Sequence, residues 1–247
     1  MRRDLFLLIV AGAALGLSGC RADRTSRQSS AIDSPAGDSL KTETPDPSAA
    51  TVASDVAKPD AAHDARPLLI CFGDSLTAGY GADPGESYPD YLQADLDAMG
   101  YKYRVVNEGI SGNTTKDGVE RVDSIAAMKP SVVVVEFGGN DGLRGLRIED
   151  SRANLDKIVA TLKASGTKVV LAGITLPPDY GPDYIKQFDA TYSLLAKKYH
   201  VPLLPFILNG VFGVNGMMQA DRTHATANGN QVVAKNVLPL VLPLLKK

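Results

Sequence analysis

The chain has 247 residues, 44% of them hydrophobic, and a formal net charge of −2. That composition suits one globular domain with a single sizeable core, and it lacks the basic footprint that a nucleic-acid partner requires. Two cysteines and three histidines are too few for a zinc-type Cys/His cluster, and no metal or cofactor is implied.

The first element is MRRDLFLLIVAGAALGLSGC, in which Arg2 and Arg3 precede a 13-residue apolar run from Leu5 to Leu17. A bilayer span takes about 20 residues, so residues 1–19 read as a processed signal peptide. Its end, Leu17-Ser18-Gly19-Cys20, resembles the lipobox of bacterial lipoproteins. The resemblance implies cleavage before Cys20, lipidation of its thiol, and residence on the bacterial cell envelope. A plain secretory signal or an uncut anchor is the alternative. Arg21 is not the aspartate that marks inner-membrane retention in some bacteria. Cys71 is then left without a partner, as a small hydrophobe inside an apolar strand.

Residues 20–65 change character. From Arg21 onward only Ile32, Leu40, Val52 and Val56 are large and apolar among 45 residues rich in Ser, Thr, Ala, Asp and Pro. Such a segment buries too little surface to offset its ordering entropy. It reads as a disordered tether with an r.m.s. span of roughly 35–40 Å.

From Arg66 to Lys247 the chain reads as one domain with a regular rhythm. Apolar, β-rich runs occur at Leu68–Phe72, Tyr103–Val106, Val132–Phe137, Lys168–Ala172 and Leu203–Phe206, their starts 35, 29, 36 and 35 residues apart. That spacing leaves room for one crossover helix each time, and continuous apolar runs suit parallel strands covered on both faces. Ser87-Tyr88-Pro89 opens a helix that Gly100 stops. Leu155, Ile158, Val159 and Leu162 form a helical stripe ending at Gly166, and Tyr184, Phe188, Tyr192 and Leu195 form another. A last helix is expected from about Ala227 to Leu238, with Pro239 and Pro243 ending or kinking it. The alternation predicts a three-layer α/β/α sandwich around a five-stranded parallel sheet.

Ligands of open parallel sheets collect at the carboxyl ends of the strands. There the sequence places Gly73-Asp74-Ser75, then Asn107-Glu108-Gly109-Ile110-Ser111-Gly112-Asn113, then Gly138-Gly139-Asn140-Asp141. Turn chemistry alone accounts for any one such loop; three in succession, the first with a serine, point to a site. A nucleophilic serine needs a base. His63 lies in the tether and His200 at a helix end beside Lys197 and Lys198, which leaves His224, with Asp221 three residues earlier. That spacing allows Asp221 to accept the Nδ1 proton while Nε2 faces the cleft, although Asp-x-x-His is a weak signal alone. The serine is not in the G-x-S-x-G of an α/β-hydrolase, and the G-x-G-x-x-G of a dinucleotide site is also missing after the first strand.

Gly73-Asp74-Ser75-Leu76, Gly112, Gly139-Asn140-Asp141 and Asp221-x-x-His224 resemble the four blocks of the SGNH (GDSL) hydrolases over about residues 68–240. EFGGNDGLRG, LPPDYGPDY and VPLLPF are similar to the bacterial periplasmic acyl-CoA thioesterase, lysophospholipase and arylesterase group. The resemblance implies a flavodoxin-like fold, with Ser75 as nucleophile, His224 as general base and Asp221 as its orienting group. It implies an oxyanion hole from the Ser75 and Gly112 backbone N–H groups and the Asn140 amide. Ile110, Leu176, Pro177, Pro178 and Tyr180 are acyl-pocket candidates, equally open to ordinary core or turn packing. Glu136 and Arg144 are expected to serve structure, as a pair. The family's usual Asp-Gly-Ile/Val-His-Pro is here Asp221-Arg222-Thr223-His224-Ala225, a departure that touches loop shape and rim charge.

The expectation is therefore a lipid-anchored serine hydrolase of acyl esters or thioesters, small molecules or lysolipids, with its domain in the periplasm or outside the cell. A monomer is the default. A carbohydrate O-acetyl esterase of the same family is the alternative enzyme, and a non-catalytic ligand-binding lipoprotein the alternative of another class.

Overall fold

The computed structural model describes residues 64–247. The expected signal peptide, the lipidated Cys20 and the tether as far as residue 63 lie outside the described residues. Five parallel strands form one sheet in the order β2-β1-β3-β4-β5: β1 (Leu68–Gly73), β2 (Arg104–Gly109), β3 (Val132–Glu136), β4 (Lys168–Ala172) and β5 (Leu203–Leu204). The predicted strands of the centre hold because Leu69–Phe72 and Val132–Val135 are apolar and wholly buried, so both faces of the sheet must be covered. At the edges the expectation of buried runs fails. β2 is only partly buried and begins one residue later than expected, whereas β5 shrinks to two residues. Pro205 follows directly, and a residue without an N–H cannot extend a ladder.

Two helical layers cover the sheet. α2 (Tyr88–Ala98) packs on α7 (Ala227–Val241), while α5 (Ile148–Ala164) packs on both α3 (Thr115–Ala127) and α6 (Pro182–Tyr199). Side-chain caps set the entrances: Ser87 with Asp90 and Thr114 with Asp117 form reciprocal capping boxes, and Thr226 accepts the Gly229 N–H at the start of α7. α7 runs through Pro239, contrary to the predicted stop near Leu238. The proline sits in the last turn, where the helix has few further bonds to lose.

The strand order reverses at β1, whose neighbours are β2 and β3. Crossovers leave to opposite sides there, and a crevice opens at the carboxyl edge. Register then decides what meets across it, because Gly73 of β1 pairs with both Gly109 and Glu136. A Cβ at Gly73 would stand 2.5 Å from the Glu136 carbonyl and 2.7 Å from its Oε2. Only glycine lets the strand end so close to its neighbour.

Candidate active site

Behind Gly73 the chain turns into a single helical turn, α1 (Ser75–Ala78). Asp74 caps it, its Oδ1 accepting the Leu76 N–H at 3.1 Å, and Gly79 closes it in the left-handed conformation. Ser75 is thus held at the end of a buried strand with its side chain in the crevice. Its Oγ lies 2.8 Å from Nε2 of His224. On the other side of the ring, Nδ1 is 2.7 Å from Oδ2 of Asp221. The second Asp221 oxygen accepts the backbone N–H groups of Thr223 and His224 at 2.9 and 3.0 Å, so that the carboxylate folds the loop and orients the ring together.

Partial burial alone would raise the Asp221 pKa. The hydrogen bonds from the His224 ring and the two backbone N–H groups outweigh it and bring the group down to about 2. Asp221 is therefore a carboxylate across the whole neutral range, able to hold a proton on Nδ1 and leave Nε2 free to accept one. Tyr80 covers the ring, with centroids 4.6 Å apart. Gln219 bonds the Tyr80 carbonyl at 2.7 Å and the Ala225 carbonyl at 2.8 Å, tying the serine loop to the histidine loop. This brace links positions 139 residues apart and left no mark in the sequence pattern.

Ser75, Gly112 and Asn140 border the same cleft. Gly112 has φ +83, a conformation that favours glycine, and Arg144 holds its carbonyl at 2.9 Å. Among the described residues the N–H groups of Ser75 and Gly112 donate to no protein acceptor. The Asn140 amide nitrogen donates to the Asn113 carbonyl at 2.9 Å and to Oδ2 of Asp74 at 3.1 Å. The expected Glu136–Arg144 pair does not form. Glu136 is wholly buried under Gly73, its Oε2 accepting the Thr77 hydroxyl at 2.9 Å, while Arg144 serves the Gly112 loop. Asp141, the last residue of Gly139-Asn140-Asp141, is structural. It accepts from the Thr115 N–H and hydroxyl and from the Ser151 hydroxyl, which lashes α4 (Gly139–Leu143) to the starts of α3 and α5.

The cleft measures about 370 Å³ and is mostly apolar. Of the five residues expected to touch an acyl group, Leu176 and Pro177 line it. Ile110 is exposed outside it, Pro178 borders a separate shallow groove, and Tyr180 spends its hydroxyl on the Leu143 carbonyl at 2.9 Å. Leu143, Ile174, Phe206, Leu208 and Phe212 complete the wall and were missed. Phe206 to Phe212 follow the last strand, so the carboxyl-end rule applied once more would have found them.

Arg222 and Thr223 stand at the mouth. Arg222 holds φ +57, the left-handed region that a side chain occupies at a cost of roughly 1–2 kcal/mol. Arg222→Gly is expected to recover that strain, less the ~0.4–1 kcal/mol by which glycine loosens the unfolded chain. A net gain of about 0.5 kcal/mol predicts a melting temperature higher by roughly 1–2 °C. An unchanged or lower value in differential scanning fluorimetry would show that the guanidinium makes stabilising contacts.

A family model described as the GDSL-like lipase/acylhydrolase family matches residues 71–232. The esterase TesA of Pseudomonas aeruginosa is 43% identical over 182 residues, covering 73% of this chain and 90% of that protein. The thioesterase 1/protease 1/lysophospholipase L1 of Escherichia coli K12 is 37% identical, covering 72% and 86%. A crystal structure of TesA superposes with a TM-score of 0.70 at 44% identity, covering 72% of this chain and 99% of that one. The chain belongs to the GDSL-like lipase/acylhydrolase family.

Proposed function

We propose that the chain is a serine esterase that hydrolyses acyl esters or thioesters of apolar acids through an acyl-serine intermediate. The observation that carries this reading is the relay Asp221–His224–Ser75, at 2.7 and 2.8 Å, opening onto an apolar cleft. Ser75 Oγ attacks the carbonyl carbon while Nε2 takes its proton, and the carbonyl π electrons move onto oxygen. The N–H groups of Ser75 and Gly112 face that oxyanion, and the Asn140 amide shares with it a proton otherwise given to Asp74 or Asn113. The intermediate collapses, the alcohol or thiol leaves with the proton from Nε2, and the acyl group stays on Ser75. Water then gives a proton to Nε2 and attacks the acyl carbon, releasing the acid and restoring the serine. The relatives named esterase and thioesterase support both leaving groups.

The cleft supports an acyl chain longer than acetyl. Each buried CH₂ contributes about 0.8 kcal/mol, so kcat/KM should rise roughly fourfold per added carbon along p-nitrophenyl esters until the cleft is full. An optimum at acetate would instead favour a carbohydrate O-acetyl esterase. Failure of a fluorophosphonate to label Ser75 in folded protein would favour a non-catalytic binder. The lipobox supports residence on the bacterial envelope, tethered by a lipid on Cys20, with the domain in the periplasm or outside the cell. Cys20→Ser should move the protein from the membrane fraction to the soluble one. A variant that still sediments with membranes would overturn the lipid anchor.

A further inference from the structure

Glu136 is an ionisable group that the reaction above does not use. It ends β3, a run of valines, and its side chain is wholly buried. Oε2 accepts the Thr77 hydroxyl at 2.9 Å and lies 3.4 Å from the Asp74 N–H. Oε1 is buried and meets no donor among the described residues. Through that contact with the Asp74 N–H, the Glu136 carboxyl lies next to a second buried acid, because Asp74 is just 2% exposed. Two carboxyl groups can bond only if one of them keeps a proton.

No cation relieves the pair. Among the described residues neither Asp74 nor Glu136 belongs to an ion pair. Arg121 reaches past them to the carbonyls of Gly73 and Glu108. The other titratable groups around them are Tyr88 from α2, hydrogen-bonded to Thr77, Cys71 from β1, and Tyr192 from α6, hydrogen-bonded to the Phe137 carbonyl. Burial pushes the Cys71 thiol up to about 12 and raises both phenols well above their ordinary value, so all three stay neutral. The His224 ring bonds Asp221 and Ser75 and neither of the two carboxyls, and Asp141 is occupied by Thr115 and Ser151. Burial raises Glu136 well above the usual carboxylate range, and the Asp74 charge raises it further. Burial raises Asp74 too, but less, because the Leu76 and Asn140 N–H groups donate to its carboxylate.

We propose that Glu136 is a positioning residue that stays protonated at neutral pH, donating to Asp74 so that this carboxylate aims the Asn140 amide at the oxyanion site. Oε1, which accepts nothing, is the oxygen left to carry the proton. Asp74, kept an acceptor, takes the Leu76 N–H on Oδ1 and the Asn140 N–H on Oδ2. The oxyanion donor and the turn bearing Ser75 are thereby fixed by one carboxylate. Loss of the proton would set two buried charges against each other directly behind the site.

The inference rests on the oxyanion role given to Asn140, and its test separates the two. Glu136→Gln keeps the shape and an N–H donor, so kcat should stay within about threefold of wild type with KM unchanged. Glu136→Leu removes the donor and should lower kcat 10- to 100-fold at unchanged KM. Both carboxyls bind protons more tightly in the folded state. Their contribution to stability is complete below the unfolded carboxylate range and is lost as pH rises through their raised values. Wild-type melting temperature and kcat should therefore fall with increasing alkalinity, and Glu136→Gln should flatten both profiles. Infrared spectroscopy reads the proton without turnover. Wild type should show a protonated-carboxyl C=O band at neutral pH that Glu136→Gln lacks, even if Glu136→Leu does not fold. Absence of that band, or a Gln variant as impaired as the Leu variant, overturns the proposal. Wild type that carries the band but hydrolyses no ester overturns the functional reading instead.

Discussion

Ser75→Ala is expected to lower kcat by on the order of 10⁶, the loss seen when one member of a catalytic unit is removed, with no loss of stability. Among the described residues the Ser75 side chain bonds only His224. The turn that carries it is held by other groups: the Asp74 cap, the buried Thr77 and the left-handed Gly79. Alanine is also a better helix former than serine, so α1 should persist. Substrate binding depends on the apolar wall and should survive in the variant. Three measurements check this: turnover of a p-nitrophenyl ester, the melting temperature, and fluorophosphonate labelling. Residual turnover above about 1% would place the nucleophile elsewhere, and Ser111, the other serine at the cleft, would be the one to examine. Adding His224→Ala to Ser75→Ala should cost little more, because the two act as a unit.

What was legible in the sequence follows from which forces act locally. Leu69–Phe72 and Val132–Val135 announce buried strands because burial on both faces admits only apolar residues. Ser87 and Pro89 announce α2 because helix entry has its own chemistry. The serine–histidine–aspartate relay emerged by elimination, since only three histidines exist to consider. Short elements were not legible: α1 and α4, at four and five residues, are too brief to show a period. Contacts set by register were not legible either. Glu136 was assigned to Arg144, eight residues away, but β1–β3 pairing places it under Gly73 and beside Asp74. Gln219 was missed for the same reason, because Tyr80, 139 residues away, is brought to it by the fold and not by the chain around it, whereas Phe206 lay within reach of the carboxyl-end rule. Arg222 is the reverse case. Its departure from the family's glycine was visible in the sequence, and the structure supplies the consequence, a side chain held at positive φ.

Asp221→Asn should lower kcat by about 10⁴ while leaving the fold and KM nearly unchanged. Asparagine can keep its carbonyl oxygen on the Thr223 and His224 N–H groups, so the loop retains its shape. Its NH₂ then faces Nδ1, at the position where Oδ2 stood at 2.7 Å. A donor there favours the tautomer with the proton on Nε2, the atom that must accept the Ser75 proton. The ring stays in place and is protonated on the wrong side. The pH dependence separates this from loss of charge alone. Asp221, lowered to about 2, is ionised throughout the working range, and its contribution to stability is lost only as pH falls through that value. Asparagine lacks that contribution at every pH, so the variant's melting temperature should lie below that of wild type near neutrality and the two should converge in strong acid. The deficit in kcat should persist at every pH where wild type is active. A variant retaining more than a tenth of wild-type kcat would show that Asp221 shapes the loop without setting the tautomer. Such a result would pass the orienting role to Tyr80, the other side chain packed against the ring.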